Sequence, residues 1–231
     1  MRFFIAVALS LCVASTSFGD LVISYSAVPE AGNEVSNPPY SAHAAVSGDS
    51  LSAGSGLTPV AGSAFWNFKD WSGTDFSTSL AANDYWQWGF DVIGSVALDL
   101  TTIDIRLATR DGGPPDAKVQ AAINGGAAVD VLTASGITTG GAVYSANLSL
   151  LPTLGLGDSI VFSLAGWSDQ ALGSLTLENA NGAGTAIIIN GNFSPAAIPE
   201  PGATWLGVVV CGLAATAGVL RLTRTRRRAR R

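Results

Sequence analysis

Cysteine, histidine and basic residues are scarce in this chain, and each scarcity removes a class of chemistry. There are two cysteines, Cys12 and Cys211, and both fall in apolar terminal segments. The stretch between them can form no disulfide and offers no thiol nucleophile. His43 is the one histidine. It lies in a low-complexity segment where a loop residue needs no function, and no Gly-x-Ser-x-Gly elbow follows a strand pattern. A serine–histidine hydrolase is thereby excluded. Zinc catalysis needs clustered His and Cys ligands, which are missing. Between Asp20 and Ile198 only Lys69, Arg106, Arg110 and Lys118 oppose sixteen carboxylates, a balance of about −12. The net charge of −5 for the whole chain averages this acidic body with a basic tail. An acidic surface repels nucleic acid and anionic lipid and keeps a domain soluble, so nucleic acid is not an expected partner.

The two ends are richer in information. Arg2 precedes a short apolar stretch, Phe3 to Ala14, and Ser17-Phe18-Gly19 places small residues at minus three and minus one of a cleavage point before Asp20. This pattern predicts a signal peptide over 1–19. Cys12 follows Leu11, too bulky for lipoprotein processing. At the other end, the segment from Ala203 to Leu220 contains no Asp, Glu, Lys or Arg. Its length is near the lower limit for a membrane-spanning helix. Gly207, Gly212, Ala214, Ala215, Ala217 and Gly218 would suit close helix packing, and Trp205 suits the headgroup level. Arg221, Arg224, Arg226, Arg227, Arg228, Arg230 and Arg231 then act as a stop-transfer signal with the C-terminus cytoplasmic.

Period-two alternation dominates the body. Trp86, Trp88, Phe90 and Val92 alternate with Tyr85, Gln87, Gly89 and Asp91, and the same holds around Ile103–Leu107, Val119–Ile123 and Ile160–Leu164. One set of side chains therefore faces a core and the other faces solvent. Turn signals recur at Asp111-Gly112-Gly113-Pro114-Pro115, Asn124-Gly125-Gly126, Gly140-Gly141, Asn181-Gly182 and Asn190-Gly191. No stretch before the anchor carries a helical stripe. Roughly nine or ten short strands are expected, in an all-β antiparallel sandwich or jelly roll. Period alone does not separate a sandwich from a closed barrel. Ala186-Ile187-Ile188-Ile189 reads as a central strand buried on both faces, or as the last strand closing the sheet. The Ser/Pro/Ala/Gly-rich segment Ser26 to Gly62 is expected to hold loops around one or two strands.

Three further chemistries are weighed on this frame. Paired carboxylates could run glycoside hydrolysis, with Glu178 the best single candidate, but an acidic domain offers too many pairs for any to stand out. Calcium suits Asp and Asn side chains in loops. Asp70, Asp75, Asn83 and Asp84 lie close in sequence, and Asp111 and Asp116 bracket a turn; all are also ordinary turn residues. A structural calcium ion is thus a possible cofactor, with no other implied. Among the aromatics, the Trp86–Val92 stripe reads as core, while Trp71 and Tyr85 lie off it and are the candidates for solvent and ligand contact.

The order Pro199-Glu200-Pro201, apolar helix 203–220, Arg-rich tail 221–231 resembles the PEP-CTERM sorting domain of exported bacterial proteins. The resemblance implies recognition of the motif by a membrane-embedded, exosortase-like processing enzyme. It further implies either anchoring in the membrane or display at the cell surface or in extracellular matrix after processing. More loosely, the body resembles jelly-roll carbohydrate-binding and adhesion modules. The expected organisation is a signal peptide 1–19, a β-sandwich 20–195 and a sorting signal 196–231. The expected function is a non-enzymatic structural or adhesive domain, with a lectin-like module that contacts extracellular polysaccharide as the alternative.

Overall fold

The computed structural model describes residues 19–27, 34–60, 65–168, 173–179 and 184–196. The predicted signal residues 1–18, the motif Pro199-Glu200-Pro201, the apolar segment 203–220 and the arginine tail lie outside them. Among the described residues no helix is long and apolar enough to cross a membrane.

Strands in chain order are β1 (Asp20–Tyr25), β2 (Ser36–Asn37), β3 (Ser41–Ala42), β4 (Val46–Gly48), β5 (Leu51–Ala53), β6 (Thr58–Pro59) and β7 (Trp66–Lys69). One helix, α1 (Phe76–Ala81), comes next. Then follow β8 (Trp86–Val92), β9 (Val96–Arg110), β10 (Asp116–Ile123), β11 (Val129–Ala134) and β12 (Ala142–Asn147). The last three are β13 (Ser159–Trp167), β14 (Ser174–Leu177) and β15 (Ile187–Pro195). They build two antiparallel sheets. The first runs β3-β1-β15-β9-β14-β7-β6, with β12 on the free edge of β9; the second runs β11-β10-β13-β8-β5-β2, with β4 also on β8. β9, at 15 residues, is the spine of the first sheet. Its lower part pairs with β15 and its upper part with β14, so those two strands lie end to end along one of its edges.

The alternating stripes meet between the sheets. Trp66, Phe68, Leu107, Leu175 and Ile189 from the first sheet join Trp86, Trp88, Phe90, Val119 and Phe162 from the second in one apolar cluster. Trp88 stacks on Phe162 with centroids 5.7 Å apart, and Trp71 meets Trp86 edge-on at 5.3 Å. Each fully buried side chain of this kind contributes about 1.5–3 kcal/mol. The fold is thus an all-β sandwich. Among the described residues its strands all fall between Asp20, where β1 begins, and Pro195, where β15 ends.

Several turn expectations need correction. Asn124-Gly125 does make a hairpin between β10 and β11, with both residues at positive φ (51° and 67°). That is the backbone a two-residue primed turn demands. Asp111–Pro115, however, carries the chain from the first sheet to the second, and Gly140-Gly141 carries it back. Asn190-Gly191 is no turn at all. It lies inside β15, where the register against β9 slips between the two residues, a β-bulge. Ile187-Ile188-Ile189 is central in its sheet, yet Ile188 is only half-buried, so one face is core and not both. The segment Ser26 to Gly62 contains five short strands rather than one or two. Helix α1 has too few residues to show a stripe. Its signal was the capping box, in which the Asp75 carboxylate accepts from the Thr78 N–H and the Thr78 hydroxyl accepts from the Asp75 N–H.

Candidate functional site

Pleating decides which side chains leave the core, and the register aligns them into rows. On the outer face of the second sheet one row crosses five strands. Ser52 of β5 pairs with Gln87 of β8, Gln87 with Ser163 of β13, Ser163 with Gln120 of β10, and Gln120 with Asp130 of β11. Gln87 Nε2 donates to Ser163 Oγ at 3.4 Å, and Gln120 Nε2 to Asp130 Oδ1 at 2.7 Å. The next row toward α1 contains Ala165, Lys118 and Thr133, and beyond it Trp167 pairs with Asp116. Lys118 is the middle residue of that row, between Ala165, which is fully buried, and Thr133, and the rings of Trp167 and Phe76 stand beside it as a wall.

That wall bounds a shallow cleft of about 490 Å³ lined by Asp75, Phe76, Ser77, Lys118, Thr133 and Trp167. The rings of Phe76 and Trp167 meet edge-on at 6.4 Å, and Lys118 Nζ lies 5.2 Å from the Phe76 centroid. Helix α1 is pinned to this end of the sheet by the buried Ser79 hydroxyl, which donates to the Gly166 carbonyl at 2.8 Å. Lys118 also pairs with Asp130 at 2.9 Å, and this contact with the Gln120 amide holds the Asp130 carboxyl below the usual range.

The outer face of the first sheet is different. Lys69 of β7, Ser174 of β14 and Arg110 of β9 are consecutive cross-strand partners, and one row below stand Asn67, Thr176 and Ala108. Thr176 Oγ1 donates to Asn67 Oδ1 at 3.0 Å. All of these except Ala108, with Val60, Phe65, Asp111 and Gly173, line a cleft of about 370 Å³. The crossover Asp111–Pro115 reaches it through a backbone contact only glycine permits: a methyl on Gly173 would stand 1.8 Å from the Gly113 nitrogen. Arg110 is fixed from beside the cleft by Glu178, whose Oε1 lies 2.6 Å from its Nη2, while Arg106 Nε is 3.4 Å from Glu178 Oε2.

Glu178, the candidate acid, is therefore a clamp between two guanidinium groups. It is 7% exposed and sits beneath Gly141, with its Oε2 2.7 Å from where a methyl on that glycine would stand. Trp71 does not face solvent. It is 1% exposed, and its indole N–H donates to the Phe68 carbonyl at 2.8 Å. It left the Trp86 stripe in sequence but returns to the same core through the Asp70 turn, where φ is 72°. Tyr85 is half-buried and falls on the outward alternation of Gln87 and Gly89, although the two clefts above are lined by other residues.

The calcium candidates do not converge. Asp75 caps α1, Asp84 is buried and accepts from the Ser72 N–H and hydroxyl, and Asp116 accepts from the Gly136 N–H at 3.3 Å. Among the described residues, no three His, Cys, Asp or Glu side chains gather as a metal site. His43 stacks on Phe193 at 3.8 Å, and its Nδ1 accepts from the Ala45 N–H. Sequence reasoning missed both clefts. Phe76 and Trp167 are 91 positions apart, and Lys69 and Ser174 are 105 apart, so no local spacing announces them.

No family model matches the chain, and no match is found among curated proteins. Among solved structures it is similar to a chain described as a carbohydrate-binding module, CBM36, in complex with calcium and xylotriose. The identity is 23%, the match covers 48% of this chain and 73% of that one, and the TM-score is 0.24. A likeness at that level carries no argument about the ligand of this chain.

Proposed function

We propose that this chain is an exported, non-enzymatic surface or matrix protein whose β-sandwich, of jelly-roll type, binds saccharide on the outer face of its second sheet. The observation that carries the reading is the five-strand row Ser52, Gln87, Ser163, Gln120 and Asp130, which leads up to the Phe76–Trp167 wall. Amides and hydroxyls each present donor and acceptor capacity, which is what a pyranose hydroxyl requires. Half-exposed aromatic rings offer the apolar side of a sugar a flat partner. Tyr85, on the same outward alternation, is the further candidate contact. Export, sorting by Pro199-Glu200-Pro201 through an exosortase-like enzyme, the anchor 203–220 and the stop-transfer arginines rest on the sequence pattern. So does the absence of catalysis.

A glycan array probed with the sandwich Asp20–Pro195 tests the ligand. Neutral glycans should bind, and Trp167→Ala should weaken them about tenfold. Retention of full binding by Trp167→Ala and Gln87→Ala together would remove the second sheet from the reading. Fractionation of the host, with mass spectrometry of the mature C-terminus, tests the sorting. A product ending near Pro201 supports processing, and an intact arginine tail indicates a simple anchor.

A further inference from the structure

The acidic body has four basic side chains, and three of them, Lys69, Arg106 and Arg110, project from one face of the first sheet. Two of the three line the same cleft, two strands apart across Ser174. Adjacent strands are spaced by about 4.8 Å, so the backbones are about 10 Å apart and two long side chains can converge on one small group between them. Lys69 is exposed, and among the described residues it forms no ion pair. Arg110 keeps 42% of its side chain exposed while one nitrogen engages Glu178. A guanidinium has five N–H donors in a planar fork, so this clamp orients the remainder without consuming them.

The charges select the ligand class. Of the charged groups that line the cleft, Lys69 and Arg110 against Asp111 leave a single net positive charge, and Glu178 beside it is shared between Arg110 and Arg106. The rest of the face is sized for a sugar: Asn67, Ser174 and Thr176 provide the polar floor, and Val60 with the exposed ring of Phe65 provides an apolar side. We infer that this cleft is a second binding site, separate from the one on the opposite sheet, that takes a carboxylate-bearing saccharide unit. The uronate carboxylate is held between Lys69 and Arg110, and its ring lies over Ser174 toward Phe65. A matrix protein with such a site would hold neutral polymer on one face and acidic polymer on the other, joining the two.

The probe is trigalacturonate, titrated calorimetrically into the sandwich Asp20–Pro195. This span contains every core residue among the described ones and leaves out the arginine tail, which would bind any polyanion. Binding should occur, should weaken as salt rises, and should fall about tenfold or more in Lys69→Gln. Lys69→Arg should restore it, with thermal midpoints of both variants matching the parent. The fully methyl-esterified trimer should bind at least about tenfold more weakly. Three results would each overturn the site: no binding, equal binding of free acid and ester, or an unchanged affinity in Lys69→Gln. Acetate competing as well as the trimer would also overturn it, because that would indicate an anion site with no saccharide recognition. Trp167→Ala must leave trigalacturonate binding intact; its loss there would place the acid ligand on the second sheet instead. Failure of this site leaves neutral-glycan binding by the opposite face untouched, so the two readings fail separately.

Discussion

On the first sheet the outward row Lys69, Ser174, Arg110 sets two cations about a hydroxyl, whereas on the second the row Ser52, Gln87, Ser163, Gln120, Asp130 is built from amides and hydroxyls with one acid at its edge. Both rows follow from the same pleat, and both stand on the same core. The backbone therefore supplies two platforms and leaves their chemistry to positions that folding does not constrain. A residue such as Trp88 is fixed by packing, while Lys69 is under no such demand. Polar choices on an unconstrained face are informative about binding for that reason.

The comparison can be broken at several levels. Trp88→Ala removes the ring stacked on Phe162 beneath both faces and should cost about 3–5 kcal/mol in a urea titration, with both clefts lost in a single transition. Gly173→Ala should separate the faces. Its methyl cannot be accommodated against Gly113, so about 1–3 kcal/mol is lost, and the charged cleft should distort while neutral-glycan binding persists. Glu178→Gln, measured the same way, should cost about 1–2 kcal/mol, because two partly exposed guanidiniums lose their shared carboxylate.

The smallest effect is a matter of pH. Asp75 is held below the ordinary carboxylate range by the Thr78 N–H and the Ser77 and Thr78 hydroxyls, and Asp158 by the Gly155 N–H and the Asn124 amide. A folded pKa below the unfolded one means the contribution is complete above the ordinary aspartate value, about 3.9, and is lost as pH falls through the folded value. Thermal midpoints should therefore drop on acidification below about pH 4. Asp49 works in the opposite sense, since burial and then Asp91 push its carboxyl up. Its contribution is present below the ordinary value and fades as pH rises through the raised one. Asp75→Asn should flatten the acid limb and leave the charged cleft unaffected.

Much of the sandwich was legible in the chain. The stripes Trp86–Val92, Ile103–Leu107 and Ile160–Leu164 each lie core-side in the structure, because a two-residue period is a direct record of which face is buried. Turn dipeptides were a poorer guide to connection. Asn124-Gly125 and Asn190-Gly191 are the same pair of residues, yet only the first reverses the chain. At Gly191 a methyl would stand 2.8 Å from the Asp99 carbonyl, so that glycine is there for close backbone approach within a strand. Trp71 illustrates the limit of local reasoning about aromatics, because tertiary packing recovers a ring that the alternation had excluded. The clefts were legible only as a shortage: four cations in an acidic body had to be somewhere, and only the register of β7, β14 and β9 shows that two of them share a row.

Strand β15 leads toward the predicted sorting segment and is flanked by β1 on one side and β9 on the other. Tension applied at Pro195 along the strand would therefore load two ladders of hydrogen bonds in parallel, all at once, instead of peeling them singly from an edge. A module tethered through that residue would resist drag as a rivet does.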